Sequence, residues 1–338
     1  MNLTEMKNPW RIALMVLAVL LVVGVLSLIS LFASAYEGEE QTYVYLYEKY
    51  SPKEAEAALK EAGVRTFGFP MLSRMLSYRV RSGRYAVEKG ENIVQIFRRL
   101  RNGQQSPLNL TIPSVRTLDR LAGYLGERLM MDSTEIVTAF RDSCSNYGYT
   151  WETLPELFVP NTYQVYWDVS FSEFMQRMVR ENRAFWQGKR DSLAQSIGMT
   201  HVEVATLASI VDEETANNAE KPMVAGMYVR RLQVGMPLQA DPTVKFALGD
   251  FSLRRILRKH LTTDSPYNTY RNTGLPPGPI RIPSVVGIDA VLNYVHHDFL
   301  FMCAKEDFSG THNFARTYSE HLQNARRYAR ALDERGIK

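Results

Sequence analysis

The chain has 338 residues, 22% of them charged, and a formal charge of +4. That length holds roughly two or three domains. The small charge excess, with no zinc-finger spacing and no long basic run, excludes nucleic acid as a partner. Two cysteines, Cys144 and Cys303, are too few for a disulfide framework, and the sequence leaves open whether they pair.

The N-terminus sets the address. Ile12 to Phe32 is a run of 21 residues without a charge, enough to span the hydrocarbon core as a helix. Lys7 and Arg11 precede it, and Glu37, Glu39 and Glu40 follow. Positive-inside reasoning places residues 1–11 in the cytoplasm and the bulk of the chain on the outer, periplasmic side. Ala33-Ser34-Ala35 also fits a signal-peptidase pattern. The apolar run exceeds the usual length of a signal peptide, which favours an uncleaved anchor; both readings export residues 37–338.

Tyr43–Tyr47 is β-branched and aromatic and predicts a strand. Ser51-Pro52 opens a helix with Glu54 in its first turn and Gly63 beyond its end. Tyr85-Ala86-Val87 predicts a second strand, followed by the turn Glu88–Asn92 and an amphipathic helix carrying Ile93, Ile96, Phe97 and Leu100, which Asn102-Gly103 closes. This strand–turn–helix resembles the opening of a LysM-type glycan-binding module, expected over about residues 85–140. Leu108–Ile112 predicts a strand, and helices follow over 117–129 and from Ser133 through Phe140. The polar and aromatic stretch between Asn146 and Glu156 marks a domain boundary near residue 150. Phe158–Trp167 is aromatic with little helical period, and such rings serve either as sugar platforms or as plain core. A helix follows over 170–186.

Thr200 and Glu203 match the Ser/Thr-x-x-Glu capping box, so another helix starts there. Val204, Leu207, Ala208 and Val211 form its buried stripe, and Glu214 continues it: three residues after Val211, four after Ile210, seven after Leu207. Asp212 and Glu213 point further round. A carboxyl on an apolar face has its pKa raised by burial, as a general acid that protonates a glycosidic oxygen requires. The competing reading is a helix ending in a solvated acidic cluster. On the stripe argument, replacing Asp212 or Glu213 leaves both activity and fold largely intact. Beyond lies a helix over 221–232 with a core stripe of Met223, Val224 and Met227. The chain then becomes rich in turns, in the loops 235–244, 265–270 and 274–280, whose prolines lower the entropy cost of ordering. A strand at Phe299–Met302, a hairpin partner at Gly310–Phe314 and a last helix over 318–332 complete the pattern. The expected fold class is α+β: a transmembrane helix (residues 1–36 with its cytoplasmic tip), a region over 37–150 holding the small LysM-like module, and a larger mixed α/β catalytic domain over 151–338.

LASIVDEET, MPLQADPTV, YNTY, GLPPGPI and HNF occur in that order. Together they closely resemble the YceG-like endolytic murein transglycosylases, the MltG family, strongly over about residues 200–330 and weakly over 80–200. The chain departs from the family pattern twice. The first acid of the DEE run is Asp212 where the family usually has Glu, and the segment after GLPPG reads Ile280-Arg281-Ile282-Pro283-Ser284 where the family often has I-x-x-P-G. The resemblance implies a membrane-anchored lyase of the inner membrane that cuts the MurNAc–GlcNAc bond of nascent peptidoglycan strands and leaves 1,6-anhydro-MurNAc ends. It implies Glu214 as the catalytic acid, with no metal and no organic cofactor. Peptidoglycan glycan strands are then the substrate, and peptidoglycan synthases are candidate partners. Gln239, Asp241 and Thr243 are candidates for hydrogen bonds to sugar hydroxyls or N-acetyl groups. Asp241 is also a candidate second carboxylate, against the alternative of a Pro-flanked turn cap. Tyr267, Asn268, Tyr270, His312 and Asn313 are candidates to line the cleft. The alternatives are a non-catalytic peptidoglycan-binding or division scaffold of the same fold, and a lysozyme-type hydrolase.

Overall fold

The computed structural model describes residues 9–253 and 255–336. The expected cytoplasmic tip with Lys7 lies outside them, apart from Pro9–Arg11. The chain forms two compact units, Met1–Asn109 with Gln164–Val169, and Leu110–Tyr163 with Ser170–Lys338.

The first unit opens with helix α1 (Pro9–Phe32), a mixture of Leu, Val and Ile long and apolar enough to cross a membrane. Strand β1 (Gln41–Leu46) follows, then α2 (Pro52–Glu61), α3 (Phe69–Met75), β2 (Gly83–Glu88), α4 (Ile93–Asn102) and β3 (Leu108–Thr111). The starts of α2 and α4 are written locally. Ser51 and Asn92 each close a capping box with Glu54 and Gln95, satisfying amide donors that a helix start leaves unpaired. Gly103, in a left-handed conformation, ends α4. β1 pairs antiparallel with β2, from Gln41 opposite Glu88 to Leu46 opposite Gly83. Val44, Leu46, Leu59, Phe69, Tyr85, Val87, Ile93 and Phe97 make the core. The strand–turn–helix of the expected LysM-like module is therefore present as β2 and α4. The strand partner of β2 lies upstream, however, and the division at Asn109 cuts through the stretch 85–140, so that stretch is not a unit of its own.

The residues that fit a signal-peptidase site are part of this unit's fold. Leu31, Ala35 and Tyr36 are buried in the core. The Ala35 amide donates to the Glu91 carbonyl at 2.7 Å, and its carbonyl accepts from Arg65 N–H at 2.7 Å.

In the second unit α5 (Leu118–Gly126) and α6 (Ser133–Ser143) are capped by Thr117 and Asp132. Strand β4 (Thr162–Val165) pairs with β3, and the chain crosses between units along each. The aromatic stretch is core: Phe158, Tyr163 and Trp167 are all buried. Helices α7 (Phe171–Trp186), α8 (Lys189–Ser196), α9 (His201–Glu214), α10 (Lys221–Gln233), α11 (Asp241–Leu248) and α12 (Val285–Leu292) follow, then the antiparallel hairpin β5 (Phe301–Ala304) with β6 (His312–Ala315), and α13 (Tyr318–Glu334). Helices α3, α8 and α12 were not expected, and α11 replaces the end of the first expected loop. Its Pro242 sits in the first turn, where a missing N–H costs nothing. Cys144 and Cys303 are both free.

Helix α9 is the axis of this unit. It is not the amphipathic helix its stripe suggests, because every residue from Val204 to Val211 is buried, the signature of a helix surrounded by protein. Helices α10 and α12 and the segment around Ile280 supply the surrounding core. Its buried Ser209 accepts from the Ile280 amide at 3.0 Å and donates to the Thr206 carbonyl at 2.7 Å, which ties the proline-rich loop to the helix.

The join between α1 and the rest of its unit carries a test. Gly68 has a φ of +88°, and an added Cβ there would lie 2.1 Å from Leu31 Cδ2. Gly68→Ala combines a disfavoured backbone with a clash, and we expect a destabilisation of roughly 1–3 kcal/mol. Thermal unfolding of the detergent-solubilised full chain measures it. An unchanged midpoint would mean that Leu31 does not pack on this turn.

Candidate active site

Helix α9 ends in three consecutive acids, and the structure gives each a different environment. A helix C-terminus carries partial negative charge, so carboxylates there need compensation. Asp212 is buried and accepts from Lys221 Nζ at 2.7 Å, from the Ser284 amide at 2.7 Å and from Ser284 Oγ at 2.8 Å. Gly287 makes room for it, since a Cβ there would come within 2.6 Å of Asp212 Oδ1. Glu213 accepts from Arg116 Nε and Nη2 at 2.9 and 2.7 Å and from Arg281 Nη1 at 2.9 Å. This overturns the picture of a solvated acidic cluster. It also overturns the expectation that Asp212 and Glu213 are dispensable for the fold. Sequence spacing could not find their partners, which lie up to 97 residues away.

Among the described residues, Glu214 receives no hydrogen bond from a cation. Val211, Ile210 and Leu207, the three neighbours that singled it out, are fully buried. Tyr228 OH donates to Glu214 Oε1 at 2.6 Å. Burial pushes the Glu214 pKa up. The tyrosine hydrogen bond opposes this, the charge of Asp241 adds to it, and His312 and Arg231 pull it down. Burial outweighs the rest, and the carboxyl holds its proton to higher pH than an exposed glutamate does. Tyr228, buried beside a carboxylate, is itself held well above its ordinary range and remains a donor.

Two of the loop candidates meet at this carboxyl's edge. Tyr270 OH donates to Asp241 Oδ1 at 2.7 Å. Burial, then the bond to Asp241 and the charges of Asp241 and Glu214, hold the phenol up. Asp241 lies in the first turn of α11, while the cap position is Ala240, so its side chain is not a turn cap and remains exposed. His312 reaches the same field. Its Nδ1 lies 2.8 Å from Glu220 Oε2, and its amide donates to Glu220 Oε1 at 2.6 Å. Buried Glu220 therefore fixes the ring.

The other candidates have different positions. Thr243 is buried and donates to the Ala240 carbonyl at 2.7 Å, with Thr269 Oγ1 2.8 Å away. Asn268 is buried and donates to the carbonyls of Leu261 and Thr263 at 2.9 and 2.8 Å. Neither leaves a surface for a sugar; they hold loops together. The Gln239 amide donates to the Thr269 carbonyl at 3.0 Å, and the exposed residue takes a left-handed φ of +49°, a disfavoured backbone for a residue with a Cβ. Tyr267 packs on Phe246 with centroids 4.7 Å apart and the rings tilted by 49°, and it lines a cavity with Arg116 and Trp151 that does not include Glu214. Asn313 donates to Glu306 at 2.7 Å. A separate cavity of about 490 Å³, lined by Tyr149, Asn182, Trp186 and His201, does not include Glu214 either.

Tyr228, Arg231 and Glu220 were missed. The signal for the first two was present in α10, where Tyr228 and Arg231 continue the stripe of Val224 and Met227 at helical spacing. A hydroxyl and a guanidinium on an apolar stripe are as unusual as Glu214 on its own. Arg231 is buried and spends its donors on the carbonyls of Leu300, at 2.6 Å, and Leu238.

The model of the YceG-like family matches residues 44–327. The chain belongs to the YceG-like family. Within and around that family it is 26% identical over 272 residues to an endolytic murein transglycosylase of Bacillus subtilis, covering 75% of this chain and 74% of the relative. It is 26% identical over 311 residues to an endolytic murein transglycosylase of Streptococcus pneumoniae, covering 80% of this chain and 55% of that relative. A solved structure of a YceG-like protein from Listeria monocytogenes matches with a TM-score of 0.57 at 25% identity, covering 85% of this chain and 99% of that one. The family resemblance read from the five sequence motifs is thus correct. Asp212 and Ser284 contact each other.

The Asp212–Lys221 pair gives the second prediction. Asp212→Asn keeps the volume but leaves the Lys221 ammonium buried without its counter-charge, which typically costs about 3–5 kcal/mol. Denaturant unfolding of the full chain in detergent should show a loss of that order. A change under about 1 kcal/mol would mean that the pair behaves as a surface ion pair.

Proposed function

We propose that this chain is a membrane-anchored endolytic lytic transglycosylase of peptidoglycan, with Glu214 as its single obligatory acid. The observation that carries this is the Glu214 carboxyl: on an apolar floor, hydrogen-bonded by a neutral phenol, with its pKa raised by burial. The relatives' activity, by name, is the same class. Helix α1 is read as a retained anchor that leaves residues 37–338 on the periplasmic side, since the residues around the cleavage pattern belong to the core. The LysM-like strand–turn–helix is read as a glycan contact, residues 151–338 as the main catalytic region, and peptidoglycan synthases as partners of this reading.

The chemistry uses one carboxyl twice, first as acid and then as base. Glu214 donates it to the glycosidic oxygen between MurNAc and GlcNAc while the C1–O bond breaks and positive charge builds at C1. The MurNAc C6 hydroxyl then attacks C1 and gives its proton to the Glu214 carboxylate, which closes the 1,6-anhydro ring and regenerates the acid. Asp241, oriented by Tyr270, supplies the negative charge that favours the oxocarbenium-like state. Tyr228 fixes the rotamer of the acid, and His312, fixed by Glu220, lines the same field.

Glu214→Gln keeps size and polarity but removes the transferable proton. Release of anhydro-muropeptides from intact strands should fall at least about 10²–10⁴-fold, roughly 3–5 kcal/mol of barrier, with circular dichroism unchanged. Near wild-type release by the folded variant would sink the assignment. A product lacking the loss of water would point to a lysozyme-type hydrolase instead. Stability carries a matching sign. A glutamate with a raised folded-state pKa contributes stability that is present below its unfolded pKa and lost as pH rises through the folded one. The Gln variant should therefore gain stability relative to wild type as pH rises.

Tyr228→Phe tests the tuning. The phenol stabilises the ionised carboxylate, so its loss raises the Glu214 pKa further. The rate should fall, while the alkaline limb of the pH–rate profile, where the acid is lost, should move to higher pH. A shift to lower pH would show that Tyr228 acts on another group.

A further inference from the structure

Helix α1 ends at Phe32, and the chain does not continue as a loose tether. Leu31 packs against the turn at Gly68, the residue immediately before α3. Helix α3 thus starts level with the last turn of the membrane span Trp10–Phe32, at the depth where hydrocarbon gives way to headgroups. Its inner side is anchored by buried Phe69 and Ser73. Its outer side carries Met71 and Met75 at i and i+4, exposed by 47% and 72%, with exposed Phe67 (56%) before the cap at Gly68 and exposed Leu76 after the helix. Residues 65–81 contain four arginines, Arg65, Arg74, Arg79 and Arg81, and no acid. Arg65 pairs with Glu37, whereas Arg74 and Arg79 make no ion pair among the described residues. Arg74 and Lys53 face a shared cavity of about 410 Å³ beside α3, with Glu56 also on its wall.

We propose that α3 is a second, interfacial membrane contact. Phe67, Met71 and Met75 enter the boundary between headgroups and acyl chains, and Arg74 and Arg79 meet the phosphates of anionic lipids. The apolar outer face is continuous with the anchor, so the bilayer that α1 spans is the occupant within reach. An apolar face flanked by basic residues is what an interfacial helix requires. Arginine stems lie along apolar surface while their heads reach phosphate, and each arginine near an anionic surface strengthens the contact. Two-point attachment restricts the tilt of the first unit on its anchor.

The test uses the full chain in lipid nanodiscs of phosphatidylcholine, with or without phosphatidylglycerol, doped with a phosphatidylcholine carrying a diazirine on its acyl chain. Photolysis and peptide mass spectrometry should place lipid adducts on the segment 67–76 as well as on α1. Adducts on 67–76 should rise about fivefold or more when phosphatidylglycerol is present, the factor one arginine supplies. Met71→Asp with Met75→Asp should abolish them while the α1 adducts, an internal standard, persist. Both side chains are exposed, so circular dichroism should not change. Arg74→Gln with Arg79→Gln, which leaves the apolar face intact, should remove the phosphatidylglycerol dependence alone. Wild-type adducts confined to α1, adducts undiminished in the aspartate variant, or equal labelling in both lipids would each overturn the proposal.

Discussion

The site depends on how the fold compensates three carboxylates at the C-terminal end of a buried helix. The partial negative charge of that end disfavours all three in ionised form. Asp212 and Glu213 receive full cations, one lysine and two arginines. Glu214 receives a neutral phenol, and burial raises its pKa. The same helix end therefore carries two ion-paired carboxylates and one that is not ion-paired among the described residues. Because Asp212 is held to α10 through Lys221 and to the start of α12 through Ser284, and Glu213 to Arg116 and Arg281, the helix end cannot move to re-aim Glu214 without breaking buried pairs.

Hydroxyl groups do for the loops what the ion pairs do for the helix. Thr243 and Thr269 share a buried bond, and Thr269 also accepts from the Ala240 amide at 3.0 Å. That staple fixes the start of α11 against the 265–270 loop and brings Asp241 within reach of Tyr270. Ser209 pins the third loop to α9. The Asp212–Ser284 contact works in the same way across 72 residues of chain, joining the end of α9 to the start of α12.

The sequence revealed what is set locally. The capping box at Thr200 marked the start of α9 because its bonds lie within three residues, and the structure shows boxes of the same local kind at Ser51, Asn92 and Ser170. The apolar run of α1 marked the span by composition. Glu214 was legible because helical spacing places it beside Leu207, Ile210 and Val211. Helix α12 was not legible, since Val285–Leu292 is an almost uniformly apolar run whose period cannot distinguish helix from strand. Helix α3 was hidden because its outer face is apolar, which blurs the amphipathic pattern. The loop candidates divided by a property that spacing does not encode. Asp241 and Tyr270 lie at the edge of the site, while Thr243 and Asn268, of equal hydrogen-bonding capacity, are turned inward to carbonyls. The partners of Asp212 and Glu213 are tertiary contacts.

Arg231 opposes the raised pKa of Glu214 through its charge but does not bond to it. A guanidinium bonded directly to Glu214 would lower the carboxyl pKa by about one to three pH units. Arg231 acts on Glu214 through its charge, while its Nε and Nη1 donate to the Leu300 and Leu238 carbonyls. The charge of the cation offsets in part that of Asp241, which acts on Glu214 in the opposite direction. The two carbonyls lie on separate segments, one just before β5 and one just before α11, so these bonds tie together the segments that carry His312's hairpin and Asp241. Burial raises the Glu214 pKa, and the guanidinium that opposes it through its charge also holds together the segments around it.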